Sequence, residues 1–139
     1  MRDQTIDLVQ RSWAHVSPIA TEAAELFYGN LFALDPSLMA LFRGDMRAQG
    51  QKLMAMIGVA VGKLGQRDVL VPVLRSLGQR HTGYGVQARH YDTVGVALLK
   101  TLEQGLGDAF TPEVRAAWTE VYALVARTMQ EPSLVAEPA

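Results

Sequence analysis

Few side chains in this protein are placed to do chemistry, and His81 is the first of them. It stands in Leu77-Gly78-Gln79-Arg80-His81-Thr82-Gly83-Tyr84-Gly85. Leu77, Leu74 and Leu70 precede it four, seven and eleven residues back, so the imidazole continues one apolar stripe of a helix. Gly83 and Gly85 end that helix within a turn. A histidine so placed has three readings: a charged cap favoured by the helix dipole, a hydrogen-bonded core residue, or a metal ligand held against an apolar wall. Taken by itself, the stretch favours the first two. Tyr28 follows the same logic, flanked by Ala24 and Leu31 on a helical face, where a tyrosine is either a core ring or a buried hydroxyl donor. Gln49 places one amide on an apolar stripe, and the plain account is a first-turn position that tolerates polarity.

Much chemistry is excluded by composition. The 139 residues contain no cysteine, so disulfides, thiolate metal sites and covalent haem attachment are absent. A formal net charge of −1 offers no basic surface for nucleic acid or an acidic membrane. Acids at Asp3 and Asp7 occupy the place where a signal peptide needs an apolar core, and no run reaches transmembrane length, so a cytoplasmic protein is expected. Phosphate loops, His-Glu-X-X-His helices and Gly-X-Ser-X-Gly elbows do not occur. His15 and His90 have no ligand spacing to His81 and read as rim and surface residues. One histidine with no second strong ligand points to a metal already held by something else, as four ring nitrogens hold iron in haem.

The elements that must position these residues are helices throughout. Ile6, Val9, Trp13 and Val16 mark the first, and Ser17-Pro18 reads as cap and first residue of the second, with Ala20, Ala23, Phe27, Leu31 and Leu34 inward. Asp35-Pro36 opens a short helix to about Phe42, and Asp45 caps a helix whose stripe is Met46, Gln49, Leu53, Met56, Ala60 and Leu64. Pro72 is expected to open the stretch ending at His81. Tyr91, Val94, Leu98, Leu102 and Leu106 then share a face, and Thr111-Pro112 starts a last helix with Val114, Trp118, Val121 and Val125 inward. No β period appears. The expectation is an all-α fold of about seven helices in one domain over residues 1–139, with 130–139 a loose tail.

These spacings resemble the globin family. Phe27-Tyr28, Asp35-Pro36, Leu41-Phe42, Gln49 with Leu53, and His81 follow the globin pattern over roughly residues 3 to 130. The likeness is to bacterial single-domain globins, including those of thermoacidophile methanotrophs, and to the globin half of flavohaemoglobins. The spacings from Gln49 to His81 and from Tyr28 to Phe42 fit the flavohaemoglobin type. The resemblance implies one haem b, with His81 as the iron ligand and Phe42 wedging the ring. It makes Tyr28 and Gln49 the distal pair and Leu53 the apolar wall over the gas. Tyr84 and Tyr91 join the haem-side set. Lys52 either reaches a propionate or is a solvated lysine. One departure stands out: flavohaemoglobins carry an acid on the last helix beside the proximal histidine, and here its place falls near Ser133, with Glu131 two residues early beside Pro132. Its absence would weaken any peroxidase-like chemistry.

Three functions follow as expectations. The first is a module that binds oxygen tightly for carrying, storage, scavenging or sensing, with nitric oxide and carbon monoxide as further gaseous ligands. The second is an enzyme, nitric oxide dioxygenase, detoxifying nitric oxide to nitrate. No flavin or nicotinamide domain fits in this length, so turnover would draw on a reductase in trans. The third is a haem-free helical interaction protein. A monomer or weak dimer, without nucleic-acid or membrane partners, is expected.

Overall fold

Apolar residues at three- and four-residue spacing fold here as helices from end to end. The computed structural model describes residues 2–42, 44–83 and 85–131. Among these, six α-helices run α1 Asp3–Val16, α2 Ala20–Leu34, α3 Met46–Gly62, α4 Arg67–Gly83, α5 Ala88–Leu106 and α6 Pro112–Gln130. A 3₁₀ helix, Pro36–Leu41, brings the number of helices longer than a single turn to the seven expected, and no strand occurs among the described residues. Tyr84, Ser133 and the tail beyond Glu131 lie outside the described residues.

Three caps stand where the sequence placed them. The Asp35 carboxylate accepts from the Ser37 amide at 3.1 Å, Asp45 from those of Arg47 and Ala48 at 2.9 and 3.3 Å, and the Thr111 hydroxyl from Val114 at 3.2 Å. Ser17 does not cap: α1 passes into α2 through a 3₁₀ turn, Ser17–Ile19, without a side-chain cap. Pro72 does not open α4, which starts five residues earlier at Arg67. Leu70 is fully buried in that first turn, and its burial holds the helix through a proline that removes one hydrogen bond. His90 is not a surface residue. It is buried, and its Nδ1 accepts from the Gln87 amide at 2.9 Å, which satisfies an orphan donor at the start of α5. His15 is exposed, as expected.

The core joins Val9, Trp13 and Val16 of α1 with Phe27 and Leu31 of α2, Leu98 and Leu102 of α5, and Trp118 and Val121 of α6. Helix α2 packs on α5, while α1 and α4 both pack on α6. Buried polar groups are paired across these seams. The Trp118 indole donates to the Ser12 hydroxyl at 2.8 Å, and the Asn30 amide donates to Thr101 and Gln104 at 3.1 and 2.9 Å. Helix α3 is shifted from its predicted stripe. Its buried seam is Gly50, Met54 and Val61, leaving Gln49, Leu53, Met56 and Ala60 half-buried beside it.

Candidate functional site

Helix α4 carries the imidazole. Its seam Leu70, Leu74 and Gly78 is buried, which turns Leu77 and His81 to a half-buried flank. Gly78 decides how deeply the helix sits: a Cβ there would collide with the Met129 carbonyl of α6. Backbone meets backbone at that point. Arg75 adds a clamp, with Nε and Nη2 donating to Glu131 Oε2 at 3.1 and 2.8 Å. At the other end, the His81 carbonyl accepts from the Val86 amide at 3.0 Å and the Thr82 carbonyl from Gly85 at 3.1 Å. These two bonds close the helix around Gly85, which has φ +92° and is there because only glycine holds that conformation cheaply.

His81 Nδ1 lies 2.7 Å from the Leu77 carbonyl oxygen. A carbonyl only accepts, so Nδ1 bears the proton and, in the neutral ring, Nε2 bears the lone pair. The bond fixes both tautomer and ring direction, as second-layer partners of metal-binding histidines do. Glu131 takes no such part in the described geometry; its carboxylate is engaged by Arg75.

The aromatic group lies on α2 and the chain after the 3₁₀ helix. Tyr28 and Phe42 meet edge to face with centroids 5.3 Å apart, and Phe32 stacks on Tyr28 at 5.9 Å. The structure brings Tyr28 and Phe42 into ring contact. Leu41, next to Phe42, reaches the turn closing the His81 helix, with Cδ2 3.7 Å from where a Cβ on Gly85 would stand. Phe42 and Leu53 both rest half-buried against the core, and Gln49 is half-buried on the same flank of α3 as Leu53. Lys52 is exposed and belongs to no ion pair among the described residues.

Tyr28 is buried, and its hydroxyl meets no hydrogen-bond partner among the described residues. Burial pushes its ionisation above the ordinary tyrosine value, so it is a neutral O–H donor at physiological pH. Tyr91 is likewise buried and raised by desolvation, and its backbone carbonyl accepts from the Tyr122 hydroxyl at 2.6 Å. Asp35 is held below its ordinary value, first by the Ser37 hydroxyl bond, with Arg89 and His90 adding to the effect.

Three positioning residues were not singled out from sequence. Gly50 and Gly78 are mid-helix glycines, which cost about 1 kcal/mol against alanine and therefore signal close packing. Tyr122 gives no such signal, because its target is a backbone carbonyl 31 residues away.

An iron haem fits these residues. No cluster of three or more His, Cys, Asp or Glu able to hold a metal occurs among the described residues, and His81 offers one imidazole of fixed tautomer. An iron with a single protein ligand needs its other ligands from a macrocycle. The half-buried, largely apolar flanks of α3 and α4 and the Phe42 ring suit a flat apolar group.

Comparison with known proteins identifies the family. The globin family model matches residues 25–129. A flavohemoprotein of Xylella fastidiosa is 32% identical over 130 residues, covering 91% of this chain and 32% of that protein. A Bacillus cereus flavohemoprotein is 27% identical over 129 residues with the same coverage. The chain thus spans about a third of the length of these flavohemoproteins. Neuroglobin of Dissostichus mawsoni is 28% identical over 139 residues, covering 90% of this chain and 87% of that protein. The chain belongs to the globin family, whose cofactor is an iron haem.

Proposed function

We propose that this globin binds oxygen reversibly and tightly, with His81 as the iron ligand and Tyr28 and Gln49 as the distal pair. The haem supplies the iron at which a diatomic gas coordinates. His81 presents Nε2 in a fixed direction because Leu77 holds Nδ1. Phe42 and Leu53 exclude water with apolar surface, and Tyr28 donates to the negative charge that oxygen draws onto its outer atom. The observation carrying this reading is the Tyr28 hydroxyl, which meets no hydrogen-bond partner among the described residues although its ring is packed against Phe27, Phe32 and Phe42. A core tyrosine of purely structural role would bond its hydroxyl to a carbonyl, as Tyr122 does.

The test is oxygen release by stopped flow from wild type, Tyr28→Phe and Gln49→Leu. A hydrogen bond to a charge-bearing acceptor contributes about 1.5–3 kcal/mol, so Tyr28→Phe should release oxygen roughly ten- to a hundredfold faster. Carbon monoxide polarises less and should move little. Gln49→Leu should have the smaller effect, since water partly replaces a flexible amide. Release at the wild-type rate from Tyr28→Phe would refute the distal assignment.

Similarity to two flavohemoproteins favours a second reading, nitric oxide dioxygenase: nitric oxide, oxygen and one electron give nitrate. The Leu77 carbonyl that accepts from His81 Nδ1 is neutral, and Glu131 is engaged by Arg75, which supports binding over oxygen activation. Steady-state nitric oxide consumption with a supplied flavin reductase separates the two. Sustained turnover with nitrate as product would establish the enzyme.

A further inference from the structure

The net charge of −1 hides an uneven distribution. Between Arg43 and His90 the chain holds eight Lys or Arg against two acids, Asp45 and Asp68, a net +6. The remainder holds five against twelve, a net −7. The basic stretch contains α3 and α4, the helices that carry Gln49, Leu53 and His81. On α3, Lys52, Val59 and Lys63 stand seven and four residues apart, one face of a helix. Lys63 keeps the register, its amide donating to the Val59 carbonyl at 3.1 Å. On α4, Val69, Val73 and Arg80 repeat the stripe at four and seven. Each stripe borders the half-buried flank of the site: Lys52 precedes Leu53, and Arg80 precedes His81. Lys63 is half-buried, the other five are exposed, and no acid shares either stripe. Val59, Val69 and Val73 are three of the eight large apolar side chains left exposed among the described residues. Lys52, Lys63 and Arg80 belong to no ion pair among the described residues, whereas Arg75, on another face of α4, is engaged by Glu131. Residues 63–66 alone join the two helices, and so short a link turns the second back toward the first.

We propose that these two stripes form one docking face for an acidic, flavin-bearing electron donor that reduces the iron held by His81. The inference rests on His81 as the iron ligand and names the partner of that same site. Oxygen binds ferrous iron, so iron that has become ferric must regain one electron. The reduced flavin loses that electron, and ferric iron becomes ferrous. Exposed valines between cations match the apolar centre and charged rim of a protein interface. Along α3 the two cations stand about 16 Å apart. That is too sparse to follow a nucleic-acid duplex, which carries one charge per about 1.7 Å. The two propionates of haem, counted in, still leave the basic stretch net positive. An acidic partner is drawn to this face and repelled by the rest of the molecule, which turns the encounter toward the site. Redox partners meet through small surfaces, below about 1,200 Å², so two short stripes suffice.

The probe is an acidic flavodoxin with its flavin photoreduced, mixed anaerobically with haem-loaded ferric protein. Stopped flow follows ferrous haem in wild type, in Lys63→Glu with Arg80→Glu, and in Lys100→Glu with Arg115→Glu. The last pair reverses two exposed cations outside the basic stretch, so both variants carry the same net charge. Each rate is divided by that for free reduced lumiflavin, which is small and uncharged, and this removes any change at the haem itself. Reversal at Lys63 and Arg80 should slow reduction roughly tenfold at low ionic strength, with the gap closing at high salt. The control pair should slow it by about twofold or less. Oxidised flavodoxin titrated into isotope-labelled, carbon monoxide-saturated protein should shift amides along the two stripes. Shifts centred on α5 or α6, or equal slowing in both variants, would overturn the face. Salt-independent reduction without amide shifts, with binding instead to phosphatidylglycerol vesicles, would overturn the partner in favour of a membrane surface. Failure of His81 as ligand shows as lost haem before flavodoxin is added, so the two failures are distinguishable.

Discussion

At His81 the deciding contact is four residues away on its own helix. The Leu77 carbonyl accepts from Nδ1 and commits Nε2 to the lone-pair role, so ligand function needs no acid nearby. His81→Ala should therefore yield protein that loses haem or holds it loosely, seen as a lost Soret band after gel filtration. Retention of a wild-type ferrous spectrum without added imidazole would remove the assignment. His90 offers the contrast. Its ring caps α5 from a buried position, so His90→Ala should lower unfolding stability by about 1–2 kcal/mol in denaturant titration. The haem spectrum should not change, because that ring serves the backbone.

Among the elements, α4 depends most on a single neighbour. It packs chiefly on α6, through Gly78 against the Met129 carbonyl and through the Arg75–Glu131 pair. The exposed half of that ion pair contributes little; the backbone contact contributes more. Gly78→Ala puts a methyl group where backbone oxygen already stands, so the helices must part. We expect a loss of about 3 kcal/mol or more in stability and faster transfer of haem to an apo acceptor protein. The opposite sign, a gain from better helix propensity, would show that α4 slides without cost. Gly83, one turn on, meets nothing within 4 Å, and Gly83→Ala is the matched control.

For the whole molecule, two expectations follow from how the helices are joined. Haem binds only the folded chain, so removing it lowers stability by mass action. The loss should fall first on α4 and the half-buried flank of α3. Hydrogen exchange should quicken there on haem removal while the α1–α6 and α2–α5 seams stay protected. Uniform quickening would show that the helices unfold as one unit. The second expectation concerns alkali. Burial raises the ionisation of Tyr28, Tyr91 and Tyr122 above the ordinary value of 10.0, while the unfolded chain titrates normally. The folded state thus keeps protons that the unfolded state releases. That contribution is complete below about pH 10 and is lost as pH rises through the folded values. Phenolate absorbance from these rings should therefore appear together with loss of helicity, not before it.

Helix existence and most caps were legible in the sequence, because periodicity and Asp-Pro signals are local. The His81 tautomer was legible in principle too, since its partner is one turn back. Local reading misplaced the start of α4 at Pro72, where the burial of Leu70 outweighs one missing hydrogen bond. It placed His90 at the surface, since nothing in a dipeptide reveals that the ring turns back to the Gln87 amide and is buried there. It read one stripe on α3 where packing on α1 and α2 selects Gly50, Met54 and Val61 and leaves the Gln49–Leu53 flank half-buried. The approach of α4 to α6 at Gly78 and the engagement of Glu131 by Arg75 join residues far apart in the chain. Such contacts depend on where helices cross, and crossing is settled by side-chain fit across the whole core.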